Sequence, residues 1–327
     1  MASTDPMLGT KSESGPTLRF ELKNVPVQFV NAIRRILLNE TPVVEVQDVV
    51  IHTNTTAMPH EMLRHRLEML PVAVRPTETD LLMKTKLELR VGLEAEDVKN
   101  LTTDDFVVTG DRTDVLMKDR DIGEPLFVLR MRKGESIHVT ARLGVNPNGS
   151  QVCTTSYGYH IDPDAVKAAK EQFLKDNPTL ADAERVFDTS YTQRYYTRDE
   201  TTGRPNWFDV FVETLGVIPP RELVQMAAKT LRDKAKRWGD SVKDKIVRSS
   251  EDGVYTFVSA EGHTLGALLQ IILYNAPEMV SLVDYDIPHP LRQEMRLRVL
   301  TDKRPEEVID FAVAKVKDYC ETLEKEI

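Results

Sequence analysis

The chain has 327 residues, 29% of them charged and 41% hydrophobic, which is typical of a globular protein of about two domains. Its 52 acidic residues outnumber its 43 basic ones, and a net charge of −9 argues against a protein whose main task is to hold nucleic acid. The two cysteines, Cys153 and Cys320, are too few for a disulfide framework or a four-cysteine zinc site, and no apolar run approaches the ~18 residues that span a bilayer.

The N-terminal part of the sequence predicts a polar leader, a strand and an amphipathic helix. Residues 1–17 are small and polar and contain no apolar segment like that of a secretory signal, so we expect a disordered leader. Residues 18–22 alternate as a short strand does, and residues 26–39 have the spacing of a helix with one apolar face. The side chains on that face are Phe29, Ile33, Ile36 and Leu37.

The central part of the sequence changes character and predicts a second, mainly-β domain. A strand at 43–51 and a helix at 60–69 come first, and Pro71 ends that helix. Residues 76–204 then alternate between strand-like runs and polar turns, so we expect them to form an inserted domain. Its predicted elements are strands at 81–93, 106–110 and 136–145, a helix-prone segment at 162–188 and a polar loop from 189.

The C-terminal part predicts a strand, two long helices and a smaller β–α unit between them. Residues 206–220 return to a strand, and a long helix should begin after the two prolines that end this segment. The remaining predicted elements are a helix at 264–275, a loop that reaches Pro290, a strand at 291–301 and a helix that begins at Pro305.

One stretch of the sequence occurs twice. Residues 20–42 and 255–277 align without a gap, and each copy has the pattern of a strand, a polar turn, an amphipathic helix and a proline. A chain that carries the same unit at both ends is expected to pack one copy on the other. The matching positions include Val30 with Leu265, Ile33 with Leu268, Ile36 with Ile271, and Pro42 with Pro277.

No residue pattern in the sequence indicates an active site or a metal site. His60 and His65 are one residue too far apart to share a helix face as zinc ligands, since ~3.6 residues per turn makes them diverge by about 140°. The sequence has no complete phosphate-binding loop, and nothing near Cys153 suggests a base that would activate its thiol. Cys320 lies on an apolar helix face, as a core cysteine does. We expect His52, His138 and His160 to be ordinary strand or loop histidines.

Arg34 and Arg35 interrupt an otherwise apolar helix. In the second copy of the repeat the same positions hold Leu269 and Gln270, so the helix itself does not require charge there. Two adjacent arginines are usually solvated, but arginine is also the residue best suited to bidentate contacts at interfaces. The pair is therefore a candidate contact with a partner.

Segments along nearly the whole chain resemble the alpha-type assembly subunits of multisubunit DNA-dependent RNA polymerases. Three of them are similar to the third-largest subunit of eukaryotic RNA polymerase II and to its archaeal counterpart: NAIRRILLNETP (31–42), HTNTTAMPHEMLRHRLEMLPV (52–72) and FDVFVETLGVIPPRELVQMAAKTL (208–231). Two are similar to the eleventh subunit and to the archaeal counterpart of that chain: EGHTLGALLQIIL (261–273) and YDIPHPLRQEMRLRV (285–299). In the bacterial relatives, an alpha homodimer takes the place of these two subunits.

The resemblance implies an α+β fold of two alpha-subunit-type dimerisation modules, each a sheet plus helices, paired within one chain. The first module is expected at 18–75 and 205–247, with the inserted mainly-β domain at 76–204. A linker at 248–253 should lead to the second module at 254–327. The residues expected in the intramolecular pairing core are Phe29, Ile33, Leu37, Leu265, Leu268, Leu269, Ile272, Val313 and Val316.

The resemblance also implies a non-catalytic subunit that docks the two largest polymerase subunits, whose active site makes RNA. The expected partners are those two chains and small polymerase subunits, with DNA contacted only indirectly and no membrane. Catalytic residues and cofactors are expected to be absent. The residues expected at the partner interface are Asn31, Arg34 and Arg35, followed by the loop residues Pro288, His289 and Pro290, which otherwise form only a rigid turn.

The cysteines bear on metal content and on origin. Many relatives bind zinc through cysteines in the inserted domain, whereas this insert has only Cys153, so no metal is expected.

Fused subunits of this kind are similar to those of large DNA viruses, which implies a cytoplasmic viral factory or virion, or the nucleus for a cellular eukaryotic protein. The alternatives are an autonomous scaffold or regulator of the same fold, an enzyme that depends on Cys153 or a histidine, and a DNA-binding protein whose affinity falls with salt.

Overall fold

A computed structural model describes residues 7–95, 97–149, 153–200, 202–248 and 253–327. The chain folds into two compact units. The larger unit consists of Met1–Ile36, Thr155–Val212 and Val224–Ile327, and the smaller unit consists of Leu37–Thr154 and Glu213–Leu223. Among the described residues, no helix combines the length and the apolar character that crossing a bilayer requires.

The described residues form a mixed α+β structure. The helices are α1 (Val27–Asn39), α2 (His60–Glu68), α3 (Thr79–Lys84), α4 (Pro163–Asp176), α5 (Ala183–Ser190), α6 (Pro220–Lys243), α7 (His263–Tyr274) and α8 (Pro305–Glu326). The strands are β1 (Met7–Ser14), β2 (Thr17–Lys23), β3 (Thr41–Asn54), β4 (Lys86–Gly92), β5 (Val98–Thr102), β6 (Phe106–Thr109), β7 (Phe127–Arg132), β8 (Ser136–Gly149), β9 (Cys153–Tyr159), β10 (Trp207–Thr214), β11 (Ile246–Arg248), β12 (Val254–Ser259), β13 (Leu282–Asp286) and β14 (Met295–Leu300).

The first sheet of the larger unit has the strand order β1-β2-β10-β9, with β1 antiparallel to β2. Strand β2 alternates strictly, because successive side chains of a strand point to opposite faces of the sheet. Leu18, Phe20 and Leu22 are buried, whereas Glu21 and Lys23 lie on the other face. The sheet therefore has one apolar face toward the core and one polar face.

The second sheet of the larger unit has the order β11-β12-β14-β13, and its described pairings are antiparallel. Met295, Leu297 and Val299 are buried on one face of β14, where helix α7 packs. Gly266 allows the close approach of that helix, because a Cβ atom there would lie 2.7 Å from the sulfur of Met295 and 2.7 Å from the ring of Tyr285. The second copy of the repeat thus contributes β12 and α7 to a sheet separate from that of the first copy.

Two long helices, α6 and α8, complete the larger unit, and each begins with a proline. Proline suits the first turn of a helix, because its fixed φ matches the helix and its missing N–H has no partner there in any case. Along α6, Ala227, Leu231, Ala235 and Trp238 are buried at helical spacing. The equivalent stripe of α8 consists of Val308, Ile309, Ala312, Val316, Cys320 and Leu323.

The smaller unit is built on a four-stranded sheet of order β3-β8-β4-β6 and a two-stranded sheet of β5 and β7. Long strands β3 and β8 pair along most of their length, and helix α2 packs on β3. Leu63 and Leu67 of α2 are buried in one apolar cluster with sheet residues such as Val46 and Leu89. This unit therefore has a core of its own.

The predicted disordered leader is wrong for residues 7–14, which form β1, while residues 1–6 lie outside the described part of the chain. The sequence of β1 does not alternate between apolar and polar residues, which is the pattern by which a strand is predicted. The backbone carbonyl of Glu326, at the end of α8, accepts a hydrogen bond from the Lys11 ammonium at 2.9 Å.

Two predicted elements differ in type. Residues 81–84 lie in the short helix α3, where the sequence predicted the start of a strand, and Tyr285 and Asp286 end β13, where it predicted the start of a loop. The smaller compact unit does not coincide with the predicted insert at 76–204, since it begins at Leu37 and β9 joins the sheet of β2 and β10, and the bounds of the insert stay a prediction. Of the predicted linker at 248–253, Arg248 ends β11, and residues 249–252 lie outside the described residues.

Candidate functional site

Helix α1, which lies in the first copy of the repeat, contacts the C-terminal helix α8 in the larger unit. Phe29 of α1 is 1% exposed and packs against the ring of Tyr319 of α8, with ring centroids 5.2 Å apart. Tilted aromatic pairs at this separation are favourable beyond the area that they bury. The N-terminal helix therefore packs directly on the C-terminal helix.

A polar contact links the first helices of the two copies. The guanidinium Nε of Arg35 in α1 donates to the hydroxyl of Thr264 in α7, with a distance of 2.7 Å between the two atoms. Arg34 turns the other way and donates to Asn31 Oδ1 at 3.0 Å, one turn back along α1. Both guanidinium groups keep further donors that these bonds do not use, because each has five N–H donors.

Helices α6 and α8 approach closely at Gly239. A Cβ atom at Gly239 would lie 2.8 Å from Val313 Cγ2 and 4.0 Å from Val313 Cβ, so only glycine fits opposite this valine. Two ion pairs flank the contact along the same helices. They are Arg232 with Glu324 and Lys243 with Asp310.

Eight of the nine residues predicted for the pairing core are buried. Val313 is half-buried and packs against α6 at Gly239. Burial is a requirement of the predicted role, and the role of each residue in pairing stays a prediction. The buried residues, each at most 5% exposed, are Phe29, Ile33, Leu37, Leu265, Leu268, Leu269, Ile272 and Val316.

The predicted partner-contact residues lie in two places, and their role in docking stays a prediction. Asn31 and Arg34 are half-buried on α1, and Arg35 is exposed there. In the loop between β13 and β14, Pro288, His289 and Pro290 are all exposed. The loop tip is held by a hydrogen bond from the Leu291 amide to His289 Nδ1 at 3.1 Å, and the Leu291 side chain is 89% exposed.

Both cysteine thiols are buried in surroundings that disfavour the reactive thiolate. Burial raises the pKa of the Cys153 thiol to about 11, and its Sγ donates to the carbonyl of Leu37. Burial also raises the pKa of Cys320, to which the nearby Glu324 carboxylate adds. Since the thiolate is the nucleophile of cysteine chemistry, neither residue is suited to covalent catalysis.

One cluster of side chains has no signal in the sequence. Glu21, His160 and Asp209 come together on the polar face of the first sheet, with their ligand atoms within 4.8 Å of one another. The three positions are far apart in the sequence, and only strand order places them side by side. Alternation along β2 and β10 would have shown the face but not the neighbours.

A comparison with known protein families gives two matches in this chain. The description "RNA polymerase Rpb3/Rpb11 dimerisation domain" applies to residues 19–235 and, in a second form, to residues 256–326. The chain belongs to this Rpb3/Rpb11 family. It carries two dimerisation domains in tandem, and Arg35 and Thr264 belong to different ones.

Individual relatives agree with the family. The chain is 28% identical over 263 residues to the DNA-directed RNA polymerase subunit Rpo3 of Pyrococcus furiosus, which covers 73% of this chain and 97% of the relative. It is 25% identical over 274 residues to Rpo3 of Aeropyrum pernix, which covers 71% of this chain and 94% of the relative. Subunit RPAC1 of mouse RNA polymerases I and III is 25% identical over 282 residues, 69% of this chain and 81% of the relative.

Proposed function

We propose that this chain is a non-catalytic assembly subunit of a DNA-dependent RNA polymerase, in which two dimerisation modules pair with each other inside one polypeptide. The observation that carries the proposal is the direct packing of one Rpb3/Rpb11 domain on the other. Phe29 packs on Tyr319, and Arg35 bonds to Thr264, across the two matched segments.

Joining the modules in one chain favours their pairing. Their association becomes intramolecular, and the effective concentration of one module around the other is on the order of millimolar for a short flexible linker. The segment predicted as a linker, 248–253, has only six residues, which is short in this sense. Fusion of two ancestral subunits explains why one chain carries both modules, and it supports an origin in a large DNA virus, with action in a viral factory or virion. A cellular eukaryotic protein of this kind would act in the nucleus.

The paired modules form the platform that docks the two largest polymerase subunits. Asn31, Arg34 and Arg35 form the proposed contact with the second-largest subunit, because α1 presents arginine where the second copy has Leu269 and Gln270. The exposed loop of Pro288–Pro290 is the second proposed contact. Nucleotidyl transfer belongs to the large subunits, and the buried thiols of this chain agree with a structural role.

Affinity purification of the tagged chain from its native source tests the proposal. At ~0.3 M salt, where exposed charge contacts are well screened, mass spectrometry should find two large polymerase chains, and the eluate should synthesise RNA. A chain that purifies alone would contradict the polymerase role and leave an autonomous scaffold.

Variants of the same tagged chain locate the docking contact. Arg34→Glu should remove the large chains from the eluate without touching the bond between Arg35 and Thr264, and Arg34→Glu with Arg35→Glu should do so completely. The matched control is Arg185→Glu with Arg194→Glu, which reverses two exposed charges elsewhere in the larger unit. Normal recovery of the large chains by the Arg34 variants would reject this surface as the docking site.

A further inference from the structure

The cluster of Glu21, His160 and Asp209 lies on strands β2 and β10 of the first sheet and at the end of the neighbouring β9. Glu21 is on β2, Asp209 is on β10, and His160 directly follows β9. The ring nitrogen Nδ1 of His160 lies 2.8 Å from Asp209 Oδ1, and the ligand atoms of all three residues lie within 4.8 Å of one another.

Trp207 orients two of the three side chains. Its indole ring stacks on the His160 imidazole, with centroids 3.8 Å apart and an interplanar angle of 8°. Its indole N–H donates to Glu21 Oε2 at 3.1 Å. Such supporting contacts fix the direction of metal-binding side chains in known sites.

Gly9 of β1 makes room beside the same carboxylate. A Cβ atom at Gly9 would lie 2.5 Å from Glu21 Oε2 and 2.8 Å from Glu21 Cβ. The β1–β2 register shifts between Leu8 and Lys11, which places this glycine at an irregularity in the pairing. A larger residue at Gly9 would push the carboxylate out of its place.

One cation already faces the cluster. The Lys23 ammonium lies 3.6 Å from the centroid of the Trp207 ring and 3.7 Å from Glu21 Oε2. Lysine is a flexible point charge, and an ion pair that remains partly open to solvent is weak, so a divalent cation can displace it. Lys23 is thus a competitor whose removal should favour a bound cation.

We propose that Glu21, His160 and Asp209 form a binding site for a first-row transition-metal dication such as Zn²⁺. Imidazole favours these metals over Mg²⁺ and Ca²⁺, and two carboxylates balance the charge of the ion. Three protein ligands leave a coordination position for water. The ion would join β2, β10 and the end of β9, three segments that are distant in the sequence.

Isothermal titration of the full-length chain with Zn²⁺ at pH 7.5 tests the site. One Zn²⁺ ion per chain should bind with a saturable isotherm, and Mg²⁺ should not compete for the site. His160→Ala should weaken binding at least tenfold, whereas His60→Ala, which removes an exposed histidine from α2, should leave it unchanged. Lys23→Met should tighten binding several-fold, because it removes the competing charge and keeps an apolar stem on Trp207.

Asp209→Asn provides a second variant of nearly unchanged shape in case His160→Ala fails to fold. It should also weaken Zn²⁺ binding at least tenfold while the thermal unfolding profile of the metal-free protein is preserved. Equal Zn²⁺ affinity of the wild type and Asp209→Asn, or the absence of one saturable equivalent, would overturn the proposal. None of these outcomes depends on whether the chain binds polymerase subunits.

Discussion

Arg35 and Thr264 make the two copies of the repeat different from each other. Thr264 occupies the position that Phe29 has in the first copy, and Arg35 occupies the position of Gln270 in the second. One helix thus contributes a buried ring to the contact with α8, while the other contributes a hydroxyl that accepts from Arg35. Unequal partners of this kind favour pairing between the modules over pairing of a module with its own copy.

Removing the hydroxyl of Thr264 tests that contact. We expect Thr264→Val to lower the free energy of unfolding by about 1–2 kcal/mol, because Arg35 loses a charge-assisted hydrogen bond. Urea unfolding of the wild type, Thr264→Val, Arg35→Ala and the double variant gives the coupling energy. Thr154→Val, at an exposed position on β9, is the control. A coupling energy near zero would show that the contact does not stabilise the pairing.

The two cysteine thiols give a second prediction about individual residues. With the pKa of Cys153 at about 11, only about one molecule in a thousand carries the thiolate at pH 8, and the pKa of Cys320 is raised as well. We expect a thiol reagent such as DTNB to label neither cysteine in the native protein and both in guanidinium chloride. Fast labelling of Cys153 under native conditions would revive the possibility of a reactive cysteine.

Residues differ in how well the sequence predicts their surroundings. The contrast of Arg34 and Arg35 with Leu269 and Gln270 marks the arginines as unusual in the sequence alone. The partner of Arg35 was not predictable, because Thr264 becomes its neighbour only after the two modules pair. The same reason hides Glu21, His160 and Asp209, which become neighbours through strand order alone.

Elements with a strong apolar period were predicted well. Helix α1 was expected at 26–39 and is found at Val27–Asn39, and the long helix expected after the double proline is found at Pro220–Lys243. Strand β1 was missed because its sequence, MLGTKSES, has no alternation of apolar and polar residues. Helix α3 was mistaken for a strand because its six residues are shorter than two helical turns, too few to show a period.

Helix α1 is expected to be essential for folding. Ile33 is 1% exposed, so Ile33→Asp would bury a charge without a partner, a change that typically costs about 4 kcal/mol or more. We expect the variant to be insoluble, whereas Asn39→Asp at the exposed end of the same helix should express and unfold cooperatively like the wild type. A soluble Ile33→Asp protein with a cooperative thermal transition would contradict the placement of this helix in the core.

The molecule as a whole places two family domains in one chain and packs their helices together in the larger unit. The tandem domains and the α+β fold were expected from the sequence, since the repeat and the family segments cover both ends of the chain. The division into compact units was not predictable, because β9 pairs in the first sheet with a strand distant in the sequence, and the bounds of the insert stay a prediction. Local patterns report which strands exist, whereas pairing between distant strands decides where a unit ends.

An engineered disulfide between α6 and α8 tests whether the two modules pack on each other within one chain. Gly239 and Val313 have a Cβ–Cβ separation of 4.0 Å when a Cβ is built on the glycine, which is within the range of natural disulfides, and Val313→Cys removes the methyl that would clash. The native cysteines are both buried. On mild oxidation, we expect Gly239→Cys with Val313→Cys to form a cross-link within each chain, seen as a faster-migrating monomer on a non-reducing gel. A cross-linked dimer, or no cross-link, would show that α6 and α8 do not pack on each other within one chain.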